Sequence, residues 1–119
     1  MTHSASTYVT QLLSVIAAPT ASDKAACLAA IMTPATDAWP LPELPVLPGR
    51  PSHWHVSDVP PRRRRTLSHE PTRNRFLLAI HHIELSAVDL AVVACLRASG
   101  APLELHDDFL GIARDEARH

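Results

Sequence analysis

An all-α fold follows from three observations on this 119-residue sequence. Residues 73–98 run without proline or glycine and repeat apolar side chains at three- and four-residue steps, the period of one helical face. Ser99-Gly100-Ala101-Pro102 then stops that helix and admits a second periodic stretch. The apolar 46% is drawn from Ala, Leu, Val and Ile, with aromatics at only 4%, a helical composition. Three parts are expected: short helices over residues 1–33, a Pro-rich extended arm over 34–71, and a helical hairpin over 72–119.

The first part opens with a helix capped by Ser4 or Ser6 and running to Ala18, where Pro19 ends it. Tyr8, Leu12, Val15 and Ile16 form its apolar stripe, widened by Val9 and Leu13. Thr20 or Ser22 caps a second helix, for which Ala26, Cys27, Ala30 and Ile31 offer a small-residue packing face. No polar residue is expected to converge here, so the pair reads as a cover for one side of a bundle. The arm holds nine of the eleven prolines, from Pro34 to Pro71, which excludes regular structure inside it. Trp39, Leu41, Leu44, Val46, Leu47 and Trp54 make it too apolar for a free linker, so it should lie along the helices with both tryptophans at least partly buried.

The hairpin carries the chemistry. Leu77, Ile80, Glu84, Val88, Ala91 and Cys95 share one face of its first helix. The second starts near Leu103 with Glu104, Asp107 and Asp108 at the positive end of its dipole, and Phe109, Ile112, Glu116 and His119 share a face. At roughly 1.5 Å per residue, Glu84 lies about 21 Å before the turn and Glu116 and His119 about 18 and 22 Å after it. A short turn makes the helices antiparallel, so the three groups are expected at one level, each on an apolar face. A carboxylate there costs several kcal/mol unless it is paired or holds a metal. Against this stands the plainer reading that Glu, Arg and His near a chain end decorate a frayed helix.

His82-Ile83-Glu84-Leu85-Ser86-Ala87-Val88-Asp89-Leu90-Ala91 and Ile112-Ala113-Arg114-Asp115-Glu116-Ala117-Arg118-His119 resemble the ferritin-like family catalogued as domain of unknown function four-five-five, as does Pro48-Gly49-Arg50-Pro51. The resemblance implies a four-helix bundle with a di-iron or di-manganese centre of oxidoreductase type, of which this chain would supply the first helix pair. It implies Glu84, Glu116 and His119 as ligands, and it leads one to expect a truncated chain, inactive alone, whose bundle a homodimer could complete. The alternative is a non-catalytic helical fragment or interaction piece. His81, three residues before Glu84, is a candidate ligand or ligand-orienting partner. His82 is off the ligand face; the resemblance favours it as a retained position and a candidate partner behind the ligands, and it is read as a polar contact to the Pro-rich arm or another helix. Asp89 is read as a hydrogen-bond acceptor between helices.

Other features weigh little. Arg62-Arg63-Arg64-Arg65 reads as a phosphate-binding patch or a solvated loop; with net charge −1, pI about 6.7 and no interleaved aromatics, nucleic acid is not expected as a partner. His53-x-His55 is a weak chelating pair, with Trp54 between favouring a packed loop. Cys27 and Cys95 read as small thiols in a reducing compartment, with no support for a disulfide. There is no unbroken run of eighteen apolar residues and no signal-peptide pattern, so no membrane span is expected and the cytoplasm is the default. No glycine-rich phosphate loop or nucleophile elbow is present.

Overall fold

Four helices form the computed structural model of the chain, which describes residues 4–32, 34, 37–54, 66 and 68–119; among these there is no strand. They are α1 (Ala5–Ala17), α2 (Ala21–Ala30), α3 (Glu70–Arg97) and α4 (Leu103–Ala117). Each short helix has the cap its sequence offers: the Ser4 and Thr20 hydroxyls accept from the Thr7 and Asp23 amides. α3 starts earlier than the proline pattern suggests, because Pro71 occupies its first turn, where a missing N–H costs nothing. It ends at Arg97, and the chain turns away at Gly100, whose φ of 74° is the left-handed conformation glycine adopts freely.

α3 and α4 pack as an antiparallel hairpin, α1 lies on α3 and α2, and α2 lies on α4. The core joins Tyr8, Leu12, Val15 and Ile16 of α1 to Leu28, Trp39, Val88, Val92, Cys95, Leu96, Leu110 and Ala113. The α1 stripe is therefore as expected, and the Pro-rich arm packs through Trp39 and Leu44. Two packing faces differ from expectation. On α2 it is Lys24 and Leu28 that are buried; of the expected face, Ile31 is buried and Cys27 packs against the core, while Ala26 and Ala30 are exposed. On α4 the buried stripe is His106, Leu110, Ala113 and Ala117, so Phe109, Ile112 and Glu116 are turned partly outward. Alanines at 113 and 117 let α4 approach closely, and His106 is internally satisfied, so its burial is cheap.

Three helix C-termini are closed by donors from elsewhere in the chain. The last carbonyls of a helix lack partners within it. For α1, Lys24 Nζ donates to Val15 O (3.0 Å) and Ile16 O (3.1 Å), and the Gly49 amide donates to Ile16 O (2.8 Å). For α2, Arg114 Nη2 donates to Leu28 O and Ile31 O. For α3, Trp39 Nε1 donates to Leu96 O (3.0 Å) and His106 Nε2 to Ala98 O (2.9 Å). With its proton on Nε2, His106 accepts at Nδ1 from the Tyr8 hydroxyl (3.0 Å). Burial pushes the Tyr8 hydroxyl well above its ordinary range, so it stays a donor.

Candidate functional site

The sequence-predicted ligands fall into two local pairs. His81 Nδ1 is 3.8 Å from Glu84 Oε2 on α3, and His119 Nδ1 is 3.6 Å from Glu116 Oε2 at the end of α4. His119 lies two residues beyond α4, held by its amide on Glu116 O. Glu84 and Glu116 are half-buried and the His119 side chain is 62% exposed. α4 has 15 residues, so at about 1.5 Å each it runs out near the level of Glu84. Among the described residues, no three His, Cys, Asp or Glu side chains gather into a group that could hold an ion. Arg62–Arg65 and His55 lie outside the described residues. Cys27 and Cys95 are both free thiols; burial pushes Cys95 up to about 11, which leaves it an inert core thiol.

One turn along α3, a buried charge cluster joins three parts of the chain. Asp89 accepts from Lys24 Nζ of α2 through Oδ1 (2.8 Å) and from Arg50 Nη1 of the Pro-rich arm through Oδ2 (2.7 Å). Lys24 is fully buried and spends all three N–H groups on Asp89, Val15 O and Ile16 O. Its charge also meets the negative end of the α1 dipole. Burial still holds the Lys24 amine below its ordinary value, with Asp89 pulling the other way. Arg50 further donates from Nη1 to Gly49 O (2.7 Å), from Nη2 to Ser86 Oγ (3.1 Å) and from Nε to His82 Nδ1 (3.1 Å). His82 therefore carries its proton on Nε2, and burial, then the Arg50 charge, disfavour a second proton. Both His82 and Asp89 make the contacts read from the sequence.

Pro48-Gly49-Arg50-Pro51 is now physically legible. A Cβ on Gly49 would lie 2.1 Å from Ala17 O and 2.5 Å from Ala18 O, so only glycine lets the arm reach the end of α1. That approach delivers Arg50 to Asp89. Residues 48–51 and 82–91, which carried the family resemblance, thus meet in space through Arg50, His82, Ser86 and Asp89. The family described as Protein of unknown function (DUF455) matches residues 9–119. The chain belongs to that family. No curated protein and no solved structure matches it.

In this DUF455 chain the arm also walls a cavity of about 470 Å³, lined by Leu47, Pro48, Arg50, Trp54, His82 and Ser86 among others. Trp54 meets His81 and His82 edge-on, with ring centres 5.2 and 6.3 Å apart. Sequence reasoning missed Lys24, because a lysine in an alanine-rich helix reads as solvated. Its spacing of four from Leu28 was the available signal. It missed His106 for the same reason; Leu110 and Ala113, four and seven residues on, mark the stripe it shares.

α3 contains an 18-residue window of mean hydropathy 1.7, long and apolar enough to cross a membrane by length and composition, although no unbroken apolar run exists. The same helix buries Asp89 between two cations and packs Leu85, Val88, Val92 and Leu96 inside.

Proposed function

We propose that this chain is half of a ferritin-like bundle, an assembly piece whose open flank takes further helices and whose Glu84, Glu116 and His119 become metal ligands when it does. One observation carries the reading: both carboxylates stand on apolar stripes left uncovered. Leu77 (56% exposed) and Ile80 (37%) lead up to Glu84, and Leu105 (40%) and Ile112 (50%) lead up to Glu116. Apolar stripes of this length mark a surface made to be covered.

Carboxylate oxygen and imidazole nitrogen suit iron or manganese, and one Glu plus Glu-x-x-His is half the donor set of a di-metal bundle. Bound in a completed bundle, such ions would supply oxidoreductase-type chemistry. Within one chain the donors do not fit an ion, since no three of them converge, so no reaction step follows from this chain alone. A second copy is the simplest source of two more helices and would double each ligand; His81 would orient Glu84 in that assembly. The same lack of convergence favours, for the single chain, a helical interaction piece without catalysis. Two free thiols and no disulfide accord with a cytoplasmic setting.

The test is metal content. The purified chain is supplied with manganese or iron(II), and bound metal is counted beside Glu84→Gln and Glu116→Gln. The reading expects metal in the wild type that each substitution removes. Metal retained by both variants, or none in any oligomer, would leave only the interaction piece.

A further inference from the structure

The buried cluster around Asp89 does not balance. It gathers Lys24 and Arg50, two cations, on one carboxylate, and among the described residues Asp89 is the acid ion-paired to either. One positive charge has no carboxylate of its own among the described residues; the end of the α1 dipole offsets only part of it, in a place where the Arg50 side chain is only 6% exposed. Uncompensated charge in such surroundings is costly.

The hydrogen bonds do not balance either. A guanidinium has five N–H groups. Arg50 spends two at Nη1 on Gly49 O and Asp89, one at Nε on His82, and one at Nη2 on Ser86. One Nη2 N–H remains. His82 accepts at Nδ1, which leaves its Nε2–H to give, and Ser86 accepts at Oγ, which leaves its O–H to give. Among the described residues, three unspent donors therefore belong to three residues of one cavity wall. The opposite character is supplied by Trp54, Leu47, Pro48 and Pro51, an aromatic and aliphatic lining.

We propose that the cavity beneath the Pro-rich arm binds a small oxyanion, phosphate or carboxylate, carried on a flat apolar body. The oxyanion would take the hydrogen bonds that Arg50, His82 and Ser86 have left and neutralise the surplus charge of the cluster. The flat body would lie against Trp54 and the prolines. A volume of about 470 Å³ admits a ligand of that size. The site is separate from the Glu–His pairs and does not rest on any reading of them.

Full-length chain is titrated with phenyl phosphate, benzoate, inorganic phosphate and benzyl alcohol, and binding is followed in amide and indole NMR signals. Phenyl phosphate or benzoate is expected to saturate and to shift residues 47–54, 82 and 86 and the Trp54 indole, while the Trp39 indole stays in place. Inorganic phosphate should bind roughly tenfold more weakly, the size of one lost aromatic contact. Benzyl alcohol should not saturate. Arg50→Gln risks freeing the arm, so the decisive variants are Trp54→Leu and Ser86→Ala, each expected to weaken the aromatic anion by roughly five- to tenfold. The proposal is overturned if no anion saturates, if benzyl alcohol binds as well as phenyl phosphate, if free phosphate binds as tightly as the aromatic anions, or if neither variant changes binding.

Discussion

The two halves of α3 are one continuous helix in two different environments. From Leu85 to Leu96 it buries Leu85, Val88, Ala91, Val92, Cys95 and Leu96 and satisfies Asp89 with two cations. From Glu70 to Glu84 it buries nothing fully, and Leu77, Leu78, Ile80 and Ile83 are all exposed. The apolar period does not change at the boundary; the neighbours do. α4 is 15 residues against 28 for α3, so the second half of α3 has a partner and the first half overhangs. Periodicity reports which face a helix would bury, and length reports how much of it this chain can cover.

The sharpest way to break the covered half is Asp89→Ala. It strands Lys24 and Arg50 in the interior, and removing one partner of a buried charge network costs about 3–5 kcal/mol. In a small domain that is most of the stability, so thermal unfolding followed by circular dichroism should show a collapsed transition. An unchanged melting temperature would mean that the cluster is solvated and the inferred burial wrong.

Gly49→Ala comes next. Its Cβ would meet backbone carbonyls at 2.1 and 2.5 Å, so the arm must shift, at a cost of about 1–3 kcal/mol. Limited proteolysis should then cut the arm near residues 48–52 faster than in the wild type, with helix content kept. Equal cutting rates would show the arm undocked already.

Cys95 gives a pH signature of the covered half. Its folded value, about 11, lies above its ordinary 9, so the folded chain holds the proton that the unfolded chain releases. Stability from this group is whole below pH 9 and is lost as pH rises from 9 towards 11, on the order of 3 kcal/mol in all. Lys24, lowered, acts in the opposite sense at alkaline pH, so the comparison is wild type against Cys95→Ala across that range. The difference in stability between them should shrink as pH rises, and a constant difference contradicts the assignment.

The smallest effect belongs to the overhanging half. Ile83→Lys and Leu77→Lys, at 65% and 56% exposure, should change monomer stability by no more than about 0.5 kcal/mol. Both should reduce self-association in sedimentation. Large destabilisation would place these side chains in a core that the structure does not give them.

Helix identity, every helix end except the start of α3, and the docking of the Pro-rich arm were legible because they rest on local chemistry: caps at Ser4 and Thr20, glycine at 100, tryptophan at 39. The stripe on α1 was legible because it is apolar throughout. What escaped were the positions where a polar side chain is buried by non-local partners. Lys24 needs the end of α1, the arm and Asp89 to justify it, and His106 needs Tyr8 and Ala98 O; neither partner set is visible along the chain. The candidate ligands were legible as pairs three residues apart, but not the absence of a three-donor group among the described residues, which is set by how the helices pack against each other.

Sedimentation of the purified chain with and without manganese or iron(II) tests the half-bundle most directly. The account predicts a dimer that forms or tightens with metal in the wild type and loses that response in Glu84→Gln and Glu116→Gln. A monomer at all concentrations, indifferent to metal, would contradict it.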